Sequence, residues 1–180
     1  MSKNVSQKQF HRFLAVSSLA IAVVLVVGAG LLLMGKQFAG SQVKTQLVQE
    51  KIAFPAANSA GLSATEFPGL QQYAGQAVDS GVKAKAYADE YIWVHMMAAS
   101  GNKTYAEASA AAMAAPTDTK LAGIKATLFQ GDMLRSSLLT AYAFSVLGII
   151  AGYAAIACLI GAILFLLGSL LALSKAAREK

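Results

Sequence analysis

Hydrophobic positions in this chain concentrate in two uncharged blocks separated by a stretch of mixed character. The second block, Leu138 to Leu173, reads LLTAYAFSVLGIIAGYAAIACLIGAILFLLGSLLAL and carries no charge over 36 residues, whereas a helix crosses a bilayer core with about 20. The first, Phe13 to Met34, has 22 uncharged residues, enough for one crossing at about 1.5 Å per residue. The pattern predicts an all-α membrane protein with two transmembrane helices. Its expected parts are an N-terminal tail (1–12), transmembrane helix 1 (13–35), an extracytoplasmic helical domain (36–137), a long apolar helix that includes transmembrane helix 2 (138–173), and a C-terminal tail (174–180).

Between the blocks the pattern is helical with interruptions. Phe38, Val43, Leu47, Val48 and Ile52 recur at helical steps, which predicts that the first membrane helix continues outward until Pro55 ends it. Residues 55–81 hold two prolines and several glycines without a sustained period. They predict a long connection with one short helix around Pro68 to Gln76, and a connection of that length is expected to be packed or functional. Val82 to Ala99 reads as a helix broken by Ser100-Gly101-Asn102. Thr104 and Glu107 form a capping-box pattern ahead of an alanine-rich helix running to Ala115, since hydroxyl and carboxylate each satisfy an orphan amide. Pro116 stops it, Thr117 or Asp118 caps the next helix, and Leu121, Ile124, Leu128 and Phe129 give that helix an apolar side. This helix is expected to run into the second membrane helix, with a bend at Gly131.

Length adds a further expectation. Counting back from Leu173 by about 20 residues puts the outer membrane surface near Ala154, beside Tyr153, whose amphipathic ring suits an interface. The apolar stretch from Leu138 to Gly152 would then extend about 20 Å beyond the hydrocarbon, at a penalty of roughly 25 cal/mol per Å² exposed to water. Covering it with the outward continuation of the first helix gives an antiparallel helical hairpin extended outside the membrane, carrying the small helical domain. The alternative is a tilted or kinked span with part of the run along the surface.

Charge sets the orientation. Lys3, Lys8 and Arg12 precede the first block, and Lys175, Arg178 and Lys180, opposed only by Glu179, follow the second. Both flanks therefore read as cytoplasmic. Residues 36–137 carry nine Lys or Arg against eight Asp or Glu, so the net charge of +6 resides mainly in the tails. The basic balance is thus a topology signal, and no stripe of cations interleaved with aromatics supports a nucleic-acid partner. The first block exceeds the usual length of a signal-peptide core and lacks an A-x-A cleavage pattern, so it reads as an uncleaved anchor. The single cysteine, Cys158, lies in the second block and reads as a small packing residue; the outer domain relies on no disulfide.

Three groups of residues are candidates for function. Gly148 and Gly152 form a G-x-x-x-G, and Ala157, Gly161 and Gly168 continue a pattern of small residues that lets helices approach closely in lipid. The neighbour is either the first span, with its Gly28 and Gly30, or another subunit, including self-association through the second span; incidental glycine is the third reading. Trp93, Met96 and Met97 make an adaptable partner surface, although an ordinary amphipathic core explains the same stripe. Asp89, Glu90 and His95 are the acid and histidine residues that lie close together, but positions 90 and 95 point in different directions around a helix, which is poor geometry for a metal. No cofactor or catalytic motif is present, and apart from Cys158 neither span contains an ionisable side chain that would suggest a proton or ion path. Asn102-Lys103-Thr104 matches a glycosylation acceptor, relevant only in a secretory pathway.

The segments QLVQEKIAFP (46–55), AYADEYI (86–92) with His95, and GNKTYAEAS (101–109) resemble those of a loosely described set of small actinobacterial membrane proteins with two spans and an Ala-rich external helical domain. That resemblance implies topology and a bacterial source without adding chemistry. The expected function is a non-catalytic accessory or structural subunit of a larger inner-membrane complex, partnered by membrane lipids and other membrane subunits. An extracytoplasmic sensing or ligand-binding protein is the alternative.

Overall fold

The computed structural model describes residues 2–178, with side chains from Gln7 onward. The side chain of Lys3, and Glu179 and Lys180, which belong to the basic flanks, lie outside the described residues. Regular structure among the described residues is helical: α1 (Ser2–Gln49), a 3-10 helix (Pro68–Tyr73), α2 (Gly81–Ala86), a π-helical turn (Tyr87–Ile92), α3 (Trp93–Ser100), α4 (Tyr105–Ala114) and α5 (Thr119–Arg178). α1 and α5 are both long and apolar enough to cross a membrane. The chain divides into two compact units, Met1–Phe38 with Leu147–Lys180, and Ala39–Val146.

The second unit is built around the connection that lacks periodicity. α1 ends at Gln49 rather than at Pro55, because Lys51 turns into the left-handed region (φ 52°) and the chain then becomes extended. Ile52 to Phe54 pair with the far end of the connection instead of continuing the helix. The Phe54 N–H donates to Gln76 O (2.9 Å), the Val78 N–H to Ile52 O (2.9 Å) and the Gly75 N–H to Pro55 O (3.0 Å). These bonds satisfy backbone groups whose burial would otherwise be costly, and they bury Phe54 at 2% exposure. Leu62, Phe67, Leu70 and Val78 fill the same core from irregular spacings, joined by Val43 and Leu47 of α1, Ala84 and Ala88, and Leu138 of α5. Leu138, where the long apolar run begins, is thus buried together with Val43 and Leu47.

α2 opens at Gly81, where a Cβ would stand 2.4 Å from Ser145 Cβ and 3.2 Å from Tyr142 Cα. α2, the π turn and α3 follow one another without a break. The helix ends with Gly101 in the left-handed region (φ 65°) and the Asn102 N–H donating to Met97 O at 2.7 Å, a termination that satisfies the last carbonyls. Thr104 caps α4 as its sequence predicts: the Glu107 N–H donates to Thr104 Oγ1, and the Thr104 N–H donates to Glu107 Oε2 at 2.8 Å. Asp118, rather than Thr117, caps α5, its Oδ1 accepting from the Lys120 and Leu121 N–H groups at 2.9 and 3.1 Å.

α5 continues unbroken through Gly131. The glycine has a packing role there, since a Cβ would lie 2.4 Å from Met96 Sδ. Met96, Ala108 and Leu128 make a second small core that ties α3, α4 and α5 together.

Candidate interaction surfaces

The unit formed by Met1–Phe38 and Leu147–Lys180 contains a buried seam of small residues. On α1 the buried positions Ala15, Ala22 and Ala29 recur every seventh residue, each 1% exposed. On α5, Gly148, Ala155, Ala162, Ser169 and Ala176 keep the same seven-residue step and are all buried. A seven-residue repeat presents one narrow stripe of an α-helix, and alanine in that stripe lets two backbones approach closely. Ser169 Oγ donates to Ala15 O at 2.9 Å, which satisfies the one hydroxyl in the α5 stripe.

The glycine pattern coincides with this seam only in part. Gly148 and Gly152 are buried, Gly161 is half-buried with Leu25 close against it, Gly168 is half-buried with open space at its Cβ position, and Ala157 is exposed. Gly28 and Gly30 also have open space at their Cβ positions. Close approach therefore runs along the alanines, and the glycines other than Gly148 lie beside that stripe. Away from the seam the surfaces of both helices are apolar and exposed, as at Val16, Val24, Leu31, Ile156, Ile163 and Leu170. Cys158 is half-buried and free.

In the unit Ala39–Val146, Trp93, Met96 and Met97 do not form one surface. Met96 is 4% exposed and fills the space left by Gly131, so it is a core residue rather than a docking residue. Met97 packs partly buried against it. Trp93 lies under the guanidinium of Arg135, 4.6 Å from the ring centroid, which is a cation–π arrangement.

Arg135 is the residue that sequence reasoning passed over. Its Nε donates to Ala88 O (3.0 Å) and one terminal nitrogen donates to Asp89 Oδ1 (3.0 Å). Ala88 O also accepts the Trp93 N–H in the i→i+5 pattern of the π turn, so the arginine holds the site where the helix widens. Asp89 is shared with Lys85, which bonds its other oxygen. Hydrogen bonding from Lys85, then from Arg135, holds the Asp89 carboxyl below its ordinary range despite partial burial. The available signal was position: between Lys125 and Lys175 the only charged residues are Asp132 and Arg135.

Glu90 and His95 have separate structural surroundings. Glu90 Oε2 would lie 2.9 Å from a Cβ placed on Gly69. His95 Nδ1 bonds to Tyr91 O at 2.9 Å, and its ring stacks on Phe67 at 5.4 Å, nearly parallel. The ring belongs to an aromatic ladder that continues through Tyr91, Tyr87, Phe54 and Tyr73. Among the described residues no cluster of three metal-ligating side chains occurs. Thr104, the third residue of the glycosylation pattern, donates its hydroxyl to Glu107.

An open groove of about 670 Å³ lies between α4 and the start of α5, lined by Tyr105, Met113, Pro116, Lys125 and Phe129 among others. No protein family, curated protein or solved structure matches this chain.

Proposed function

We propose that this chain is a two-span protein of a bacterial inner membrane, with both termini cytoplasmic, that serves as a non-catalytic accessory or structural subunit of a larger membrane assembly. α1 and α5 would form an antiparallel hairpin, and the helical unit Ala39–Val146 would stand outside the cytoplasm. The order of neighbours supports the opposite chain directions: Ala15 meets Ser169, Leu25 meets Gly161 and Lys36 meets Gly152. The basic flanks support the orientation.

The observation that carries the accessory reading is the use to which polar chemistry is put. Arg135 reaches from α5 to Ala88 O and Asp89, and Lys85 and His95 bond to Asp89 and Tyr91 O within their own helical stretch, so this polar chemistry is structural, while the remaining surface of the spans offers apolar side chains suited to lipid or other helices. Purification in a mild detergent, with the mass and composition of the particle measured, tests this. A stable assembly with larger membrane subunits supports the accessory role; a particle of this chain alone overturns it.

A second reading, an extracytoplasmic sensing or ligand-binding protein, is favoured by the groove at Tyr105, Met113 and Phe129, where Lys125 stands beside apolar walls. It predicts that an amphipathic anion raises the thermal midpoint of the purified protein, and that Lys125→Gln abolishes the rise.

A further inference from the structure

The alanine stripe of α1 has a fourth position in the same register, and there the sequence places a lysine. Ala15, Ala22 and Ala29 are followed seven residues later by Lys36. Its side chain lies on Gly152: a Cβ at that glycine would stand 2.9 Å from Lys36 Cδ, 3.3 Å from Cε and 3.1 Å from Nζ. With glycine opposite, the lysine stem lies in the space that a side chain at 152 would otherwise share with it. The next residue, Tyr153, is 71% exposed.

Apart from Glu179, outside the described residues, the sequence of this unit contains no carboxylate. Among the described residues of this unit Lys36 therefore has no carboxylate as a counter-charge. The cations of the unit also bracket matched lengths. From Phe13 to Gly35, between Arg12 and Lys36, a helix rises roughly 34 Å, and from Tyr153 to Ser174, ahead of Lys175, roughly 33 Å. Both fit a hydrocarbon core of about 30 Å with slight tilt. The neighbour pairs put the two segments in step, since Lys36 meets Gly152 at one end and Ala15 meets Ser169 toward the other.

We propose that Lys36, seated in the Gly152 notch, binds the phosphate of an outer-leaflet phospholipid and, with Tyr153, sets the outer edge of the hydrocarbon. The spans are then 13–35 and 153–174, and the stretch 147–152 of the long apolar run lies in the headgroup region. This assignment rests on the two-span reading. Moving the frame outward by six residues would drag the Lys36 ammonium into hydrocarbon and leave Leu170, Leu171 and Leu173, all exposed, in water. Both changes are unfavourable.

The test uses the full chain with Cys158→Ser, reconstituted into phosphatidylethanolamine–phosphatidylglycerol vesicles and labelled by a polar maleimide loaded on both sides. Single cysteines replace Leu147, Ile150, Ile156 or Ile163, each exposed on α5. The expected result is reaction at 147 and 150 and protection at 156 and 163. Protection at 147 and 150 as well overturns this frame while leaving two spans intact, whereas reaction at 163 rejects the two-span reading itself. Lys36→Gln should let the outer edge slide, slowing reaction at 150 about tenfold as the thiolate loses water. Gly152→Leu, which keeps the charge but evicts its stem, should do the same. An unchanged rate at 150 in both variants overturns the role of Lys36. Native mass measurement supplies the phosphate readout: Lys36→Gln should retain fewer phospholipids per chain, and an equal number overturns phosphate binding.

Discussion

At the scale of single residues, Arg135 and Gly131 explain why the helices of the unit Ala39–Val146 pack as they do. Arg135 bonds a backbone carbonyl and a carboxylate from a position 20% exposed, so Arg135→Gln leaves Asp89 with one cation and Ala88 O with one donor fewer. The expected loss is about 2 kcal/mol, read from the thermal or denaturant midpoint of the purified protein, with Arg135→Lys giving only partial rescue because it lacks the planar fork. Acid should act on the same group. The folded-state pKa of Asp89 lies below its ordinary value of 3.8, so its contribution is complete above that value and is lost as pH falls through the depressed one. Asp79 and Glu107 shift in the same direction, through Lys83 and Thr104 respectively. Asp89→Asn should therefore make stability less steep in acid without abolishing the acid transition, and an unchanged acid profile would count against the Lys85–Asp89–Arg135 arrangement. Glycines separate packing from propensity: Gly131→Ala meets Met96 and should destabilise by about 1–3 kcal/mol, whereas Gly123→Ala, with open space around it, should stabilise by roughly 0.5–1 kcal/mol.

At the scale of elements, what could be read from the sequence was whatever local chemistry decides. The Thr104–Glu107 box, the stop at Ser100-Gly101, the short helix at Pro68 and the two long apolar helices all follow from caps, breakers and composition acting over a few residues. Thr104→Ala should accordingly cost about 1 kcal/mol and fray the first turn of α4, seen as faster amide exchange at Ala106 and Glu107 than in the parent protein. Two features were not legible for one shared reason. The end of α1 at Gln49 depends on Ile52 and Phe54 finding partners at Gln76 and Val78, and the π turn at Tyr87–Ile92 coincides with the carbonyl contact made by Arg135. Those partners lie tens of residues away, so no window of local periodicity contains them. The core residues Leu62, Phe67 and Leu70 were hidden likewise, because a connection without a repeat buries side chains at the spacing its turns impose.

At the scale of the whole chain, the helix contact runs along a stripe of alanines that shares Gly148 with the glycine pattern. Glycine stands out in an apolar run and alanine does not, so Ala155 and Ala162 are hard to distinguish from the alanines around them in the sequence. The seven-residue step was nevertheless written in both helices, and burial separates the two patterns: Ala22 and Ala162 are 1% and 2% exposed, while Ala157 faces outward. A stripe of this kind tolerates no added volume, because a leucine there must push two helices apart along the seam or leave its rotamer minimum. Ala22→Leu and Ala162→Leu should each cost about 1–3 kcal/mol, lowering the temperature at which the detergent-solubilised protein aggregates, whereas Ala157→Leu should leave that temperature unchanged. If Ala157→Leu is instead the variant that fails to co-purify with its membrane partners while remaining folded, its exposed face is where another subunit packs, and the glycine-side pattern then describes an intermolecular contact beside the intramolecular alanine seam.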